Sequence, residues 1–225
     1  MIPPKHARWA HALFRPYLRG LCKRRFHSIH LLGDVPVLPE GASVLLLPNH
    51  SSWWDGFFPY LLNEALLHRT FYIMMLEHRL REFWFFRKLG AYSINQQSPK
   101  AIAETLAFTA QLLSPQQHSG QHPASLVVMF PQGELRPWGM RPLGYNRGVE
   151  WLLKKSDTPV TMLPLAMRCE LLNEEKPSVF LMCGTPRVET AASFDGVAAL
   201  ERDMERLLGD LERRIIDGER GVRLL

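Results

Sequence analysis

Apolar positions along the chain fall into short continuous runs separated by longer stretches with helical spacing. Val44 to Leu47 is an apolar run between Gly41 and Pro48. Thr70 to Leu76, Ala91 to Asn95, Ser125 to Met129, Val160 to Met167 and Ser178 to Cys183 are of the same kind, and alternation over Phe26 to Leu32 adds a first strand. Pro159 and Pro177 stand at the starts of the last two runs. Between the runs, Gly56 to Leu67 carries apolar residues at helical spacing and closes near His68. His78 to Leu89 sets Arg or Lys against Phe and Trp in a helical pattern, with Gly90 as its stop. Pro99 to Leu113 is amphipathic through Ile102, Leu106, Phe108, Ala110 and Leu113, and Gly148 to Lys155 and Phe194 to about Ile216 are helical as well. Strands alternating with helices predict a single α/β domain over residues 26–225, with a mostly parallel central sheet flanked by helices. No repeat and no long linker divides it.

Residues 1–25 form a separate segment. Lys5, Arg8, Arg15, Arg19, Lys23, Arg24 and Arg25 precede the first acidic residue, Asp34. Between them Trp9, Ala10, Leu13, Phe14, Tyr17, Leu18 and Leu21 give one apolar face on a basic helix, which Pro16 is expected to kink or divide. Two readings stay open: a helix at the surface of an anionic membrane, or one packed on the domain with a solvated basic face.

A net charge of +5 over 225 residues points to an anionic partner, whether membrane, acidic substrate or nucleic acid. No nucleic-acid motif accompanies the charge, and nucleic acid is not expected as a partner. No apolar run is long enough to span a bilayer, and charges interrupt any leader-like stretch at the N-terminus. A cytoplasmic protein, peripheral on the inner face of a membrane, is the expectation. Cys22, Cys169 and Cys183 are unpaired in spacing and read as reduced thiols. His118 and His122, four apart, lie in a polar loop from Ser114 to Ala124 whose Gly and Pro argue against a metal site, so no metal is expected.

Candidate chemistry starts at Asn49-His50-Ser51-Ser52-Trp53-Trp54-Asp55, where a strand ends and a helix begins. A loop of this length brings the imidazole of His50 back against the carboxylate of Asp55, a base and its orienter at a strand end. The strand from Ser125 delivers a second polar cluster, Phe130-Pro131-Gln132-Gly133-Glu134-Leu135-Arg136. No Gly-x-Ser-x-Gly elbow exists, which discounts a hydrolase built on Ser51 or Ser52.

Together these clusters resemble the glycerolipid acyltransferase superfamily, of the lysophosphatidic acid and glycerol-3-phosphate type. Asn49-His50 followed by four residues and Asp55 matches the family's first motif. Residues 130–136 resemble its third motif, Phe-Pro-Glu-Gly-Thr-Arg, and Leu163-Pro164-Leu165 resembles its fourth. Asn146-Arg147-Gly148-Val149 is similar to the family's basic start of a later helix. The second motif departs: Asn95 and Gln96 stand where the family has Asp-Arg, and Gln132 replaces the usual Glu of the third.

The resemblance implies an O-acyltransferase, similar to 1-acylglycerol-3-phosphate acyltransferases of phospholipid biosynthesis. It would take a fatty acyl group from acyl-CoA or acyl carrier protein, as co-substrate, to a lysophospholipid or glycerolipid hydroxyl, with no further cofactor. His50 would be the general base and Asp55 its orienter, with oxyanion donors from backbone N–H groups around Gly133 or at the helix start near Asp55. Gln132, Gly133, Glu134, Arg136, Asn95 and Gln96 would contact substrate. Loss of the second-motif Arg leaves two routes: Arg136, Arg141 or Arg147 supplies the charge, or the acceptor is a neutral hydroxyl lipid such as a glycoside or a hydroxylated carotenoid. A catalytically silent lipid-binding module of the same fold is the other reading. Trp53, Trp54, Phe57 and Phe58 either line an acyl groove or fill the core.

Overall fold

The computed structural model describes residues 1–115 and 124–225; His118 and His122 lie outside the described residues. The strands are β1 (Ser28–Leu32), β2 (Val44–Pro48), β3 (Thr70–Leu76), β4 (Ala91–Ile94), β5 (Ser125–Val128), β6 (Val160–Glu170), β7 (Ser178–Cys183), β8 (Arg187–Glu189) and β9 (Val222–Arg223). They form one sheet in the order β4-β3-β5-β2-β6-β7-β1-β9, with β8 also on β6. β4, β3, β5, β2 and β6 are mutually parallel neighbours, so their C-terminal ends share one edge. β7 turns antiparallel to β6 and pairs in parallel with β1. The expected single α/β domain with a mostly parallel sheet is found.

Each central strand is buried on both faces, and its alternate residues enter different packing layers. Val44, Leu46, Phe71, Ile73, Leu126 and Val128 pack with Phe14, Leu18 and Phe58 beneath helices α1 (Arg8–Arg25) and α2 (Phe57–Leu62). Leu45, Leu47, Val127 and Met162 pack on the opposite face with residues of α4 (Pro99–Leu113) and α5 (Gly148–Lys155). α6 (Val197–Ile216) lies over β6 and β7, burying Met204, Leu208 and Leu211.

Pro164 sits inside β6, where an absent N–H would ordinarily break a ladder. It falls between the residues that pair with β7, starting at Leu165, and those that pair with β8, ending at Met162. Its carbonyl accepts the N–H of Gly184 in that gap at 2.9 Å. N and O of one strand residue point to the same side, so the missing donor also faces the gap between two strands.

Several expectations change in detail. α1 runs unbroken through Pro16 rather than dividing there, with Ala12 one turn before it. The apolar stripe of α1 splits: Ala10, Phe14, Leu18 and Cys22 are buried on the domain, whereas Trp9, Leu13 and Tyr17 remain 53%, 64% and 63% exposed. Burial of Phe14 and Leu18, at roughly 1.5–3 kcal/mol each, is enough to hold the helix on the domain. The predicted helix over 78–89 is two pieces, α3 (Glu77–Glu82) and a 3-10 stretch over Trp84–Leu89, separated at Phe83. The helix after Asp55 likewise begins as a 3-10 turn over Trp53–Gly56 and closes as a π-turn over Asn63–Leu67. β8 and β9 are too short and too polar to give a strand pattern. Among the described residues, no helix is long and apolar enough to cross a membrane.

Candidate active site

The end of β2 is anchored before it reaches the chemistry. The Asn49 carboxamide donates to the Met167 carbonyl at 3.0 Å and accepts the Met167 N–H at 2.7 Å, so the loop starts from a fixed point on β6. Ser52 then caps the 3-10 turn, accepting the Trp54 N–H at 3.2 Å. Asp55, fully buried, completes a capping box. Its Oδ2 accepts the N–H of Ser51 at 2.5 Å, that of Ser52 at 2.8 Å, and Nδ1–H of His50 at 3.0 Å. Its Oδ1 accepts the Ser52 hydroxyl at 2.5 Å. Four donors compensate a carboxylate that burial alone would make costly. A carboxylate at Nδ1 fixes the tautomer of His50 and leaves Nε2 as the basic nitrogen.

The end of β5 holds the same histidine from the other side. Phe130 stacks on its ring at 4.1 Å between centroids. Gln132, 1% exposed, accepts the His50 N–H through Oε1 at 2.6 Å and donates to the His50 carbonyl through Nε2 at 3.3 Å. The same carbonyl accepts the Arg136 N–H at 2.9 Å. Asn146 supports Gln132 in turn, donating to its carbonyl at 2.8 Å. Gly133 has φ +70, and a Cβ there would stand 2.7 Å from the Asn146 amide nitrogen, so this turn requires glycine.

His50 and both loops open on a cavity of about 900 Å³ at the C-terminal edge of the parallel strands. Its lining comes from both faces of the sheet. Phe14, Phe57, Tyr60, Phe71 and Phe86 belong to the layer beneath α1 and α2; Met74, Leu106 and Met129 belong to the layer beneath α4 and α5. This is a largely apolar space with a histidine and a small set of polar groups at its wall.

The predicted substrate residues collect here unevenly. Gln96, Gln132, Gly133, Glu134 and Arg136 all line the cavity, with Arg147 and Arg79 beside them. Asn95 is not among the lining residues; its Oδ1 accepts the N–H of Gln97 at 3.0 Å. Arg141 also lies away from the cavity wall and donates to the carbonyls of Trp138 and Met140. Four of the expected oxyanion donors are already engaged: the Gly133 N–H goes to the Phe130 carbonyl at 3.1 Å, and those of Ser52, Trp54 and Asp55 are used within the turn. Of the four aromatics after His50, Trp53 and Phe57 line the cavity, Phe58 is fully buried in the core, and Trp54 packs edge-on against Phe26. Phe14, Tyr60, Phe71 and Arg79 were not legible as site residues, because each carries only a pattern of core packing or of a solvated charge.

Alternative nucleophiles are disfavoured by their surroundings. The Ser52 hydroxyl is committed to Asp55 and to the turn. All three cysteines are free, and Cys169, near Asp55, has its thiol pushed up to about 12 by burial and then by that carboxylate. Among the described residues, no group of three or more His, Cys, Asp and Glu is placed to hold a metal.

Residues 33–168, more than half of the chain, match the family described as Acyltransferase. The fold is similar to the crystal structure of the 1-acyl-sn-glycerophosphate (LPA) acyltransferase PlsC from Thermotoga maritima, with TM-score 0.55 and 16% sequence identity over 83% of this chain and 71% of that one. No curated protein sequence gives a significant match.

Proposed function

This chain belongs to the acyltransferase family, and from that premise we propose an O-acyltransferase that moves a fatty acyl group from a thioester donor, acyl-CoA or acyl carrier protein, to the hydroxyl of a glycerolipid acceptor. The observation that carries the reading is the His50–Asp55 pair, 3.0 Å apart, set at the wall of a largely apolar cavity. A free alcohol is barely ionised near neutrality, so attack on a thioester needs a base at the hydroxyl. Nε2 of His50 takes the hydroxyl proton as the oxygen attacks the thioester carbon. Asp55 stabilises the imidazolium that forms. As the tetrahedral intermediate collapses, the carbon–sulfur bond breaks and the proton passes from Nε2 to the departing sulfur, giving ester and thiol.

A glycerolipid acceptor with a long chain resides at a lipid surface. The outward ridge of Trp9, Leu13 and Tyr17 on a helix with exposed Arg8, Arg15 and Arg19, preceded by exposed Lys5, supports peripheral attachment to an anionic membrane. The test is thiol release from palmitoyl-CoA by purified protein with glycerolipid acceptors, for wild type and His50→Ala. Turnover lost in a variant with unchanged circular dichroism is expected; an equal rate in the variant rejects the mechanism.

A further inference from the structure

Of the Arg, Lys, Asp and Glu side chains on the cavity wall, Arg79, Arg136 and Arg147 stand against Glu134 alone, so the wall is cationic. The side chains of Arg79 and Arg147 are 57% and 66% exposed, whereas that of Arg136 is 24% exposed and is held on two sides. On one side, Nε and Nη2 donate to a single oxygen of Glu134 at 3.1 and 2.7 Å. On the other, the guanidinium lies against Gly144, whose φ is +72, and a Cβ built there would overlap it. Gly144 thus supplies both a left-handed turn and a seat for the guanidinium.

The seat is held from behind by a helix that does not reach the cavity. Residues 129–147, between β5 and α5, are neither helix nor strand, so their N–H groups depend on partners elsewhere. Glu201 of α6 accepts the Gly144 N–H, and Glu205, one turn further on, accepts the Leu143 N–H at 3.3 Å. The Leu143 side chain is buried with Met204 and Leu208 of the same helix. Two carboxylates on one helix face therefore take the N–H groups of consecutive residues, in charge-assisted bonds. No residue of α6 is on the cavity wall.

We propose that Glu201 and Glu205 are positioning residues of the acyl-transfer site, seating the turn at 143–144 so that Arg136 presents its guanidinium to a phosphate group of a substrate. The proposal rests on the acyl-transfer reading above. Neither glutamate touches substrate; their effect passes through Gly144 to Arg136.

The test is a double-mutant cycle on Glu201 and Arg136, read as KM with palmitoyl-CoA as donor and either lauroyl lysophosphatidic acid or monolauroylglycerol as acceptor. Glu201→Ala is expected to raise the KM of the substrate held by Arg136 about tenfold, with kcat changed less than about threefold. A rise for palmitoyl-CoA with both acceptors assigns the phosphate to the donor; a rise for lysophosphatidic acid alone assigns it to the acceptor. In an Arg136→Ala background the same substitution should change KM by less than about twofold. Equal factors in the two backgrounds, or no change in any KM, overturn the proposal. Glu201→Gln keeps an oxygen for the Gly144 N–H and should bring KM back to within about threefold of wild type. A loss as large as that of the alanine variant overturns the hydrogen-bond basis. Glu205→Ala carries the same cycle if Glu201→Ala does not fold.

If the wild type transfers acyl groups to neither acceptor, the acyl-transfer reading fails and the positioning is decided by binding. Dodecyl phosphate below its micelle concentration is then titrated by quenching of tryptophan fluorescence, Trp53 and Trp151 being on the cavity wall. Coupling of Glu201 to Arg136 in its Kd supports the proposal; additivity, or no binding, overturns it.

Discussion

Gln132 and His50, 82 residues apart in sequence, are joined as neighbouring strands are joined: the carboxamide accepts the His50 N–H at 2.6 Å and donates to the His50 carbonyl at 3.3 Å. A side chain thereby continues the ladder between β2 and β5 past the point where their main chains part. Only a carboxamide supplies both halves, because an ionised carboxylate has no donor. Gln132→Ala is expected to lower stability by about 1–3 kcal/mol, the cost of leaving the His50 N–H without its acceptor, while the His50 carbonyl keeps the Arg136 N–H. It should reduce kcat more than it raises KM, since the base is displaced and the cavity is not. Gln132→Glu keeps the accepting half and should fall between. Urea unfolding with steady-state kinetics on the three proteins checks the order; equal kcat in all three would leave Gln132 without a role in placing the base.

Asp55 concentrates four donors on one buried carboxylate. Asp55→Asn must turn an amide NH₂ towards either the Ser51 and Ser52 N–H groups or the Ser52 hydroxyl, and it no longer dictates Nδ1–H on His50. Loss of activity by about 10³–10⁴-fold is expected, the scale seen when a histidine base is left in the wrong tautomer. Retention of more than a tenth of wild-type kcat would mean that His50 works without its orienter.

The N-terminal strap reports on pH. Residues 1–7 lie across the edge of the sheet, with Ser93 N–H donating to the Ile2 carbonyl at 3.0 Å and Ala7 N–H to that of Lys88 at 3.0 Å. His6 there stacks on His11 and is pushed down to about 4, first by burial and then by His11. His11 is lowered as well, by burial and then by Arg15. Between the ordinary histidine value of 6.5 and about 4, the unfolded chain binds a proton that the folded strap refuses, so stability rises with pH across that window. The contribution is complete above pH 6.5 and is lost as pH falls towards 4. His6 is partly water-facing, which holds the effect to about 1 kcal/mol or less. Urea midpoints at pH 7.5 and 5 for wild type and His6→Gln check it, with the variant expected to show the shallower fall.

What the sequence carried, and what it left out, follows from the range of the interactions. Strand runs and the Pro99–Leu113 helix are set by local periodicity; the helix appears at the expected residues, and some strands differ at their ends, β1 starting at Ser28 and β6 running on to Glu170. The His50–Asp55 contact spans five residues and closes within one turn, so spacing was enough to suggest it. The clamps of Asn49 on Met167 and of Gln132 on His50 cross 118 and 82 residues, and no local pattern distinguishes them from surface carboxamides. Breaks at Phe83 and after Leu62 were equally invisible, because an apolar helical spacing is shared by α, 3-10 and π turns. The two readings open for α1, membrane surface or domain, have one structural cause: its apolar residues form two adjacent stripes, one buried and one exposed.

That exposed stripe makes the most separable prediction. Trp9, Leu13 and Tyr17 follow one another at four-residue spacing, and Trp84, 60% exposed, extends the surface from the next element. Trp9 meets Phe85 at 6.2 Å, and the Lys88 ammonium lies 5.1 Å from the Trp9 ring and 6.0 Å from that of Trp84. Aromatic rings beside cations are suited to the headgroup layer of an anionic bilayer, where the ring enters and the ammonium stays with the phosphates. None of the three helix residues belongs to the buried set that docks α1, so replacing them with Ser should leave the thermal midpoint within a few degrees of wild type. Binding to vesicles containing phosphatidylglycerol should fall by about 100-fold, the loss of partial insertion for three large side chains. Thiol release from a soluble donor and a short-chain acceptor should be unaffected, because the cavity is untouched, while turnover with acceptor embedded in vesicles should drop with the binding. Equal vesicle binding by the triple variant and wild type would remove α1 from the membrane contact and leave its ridge without a partner.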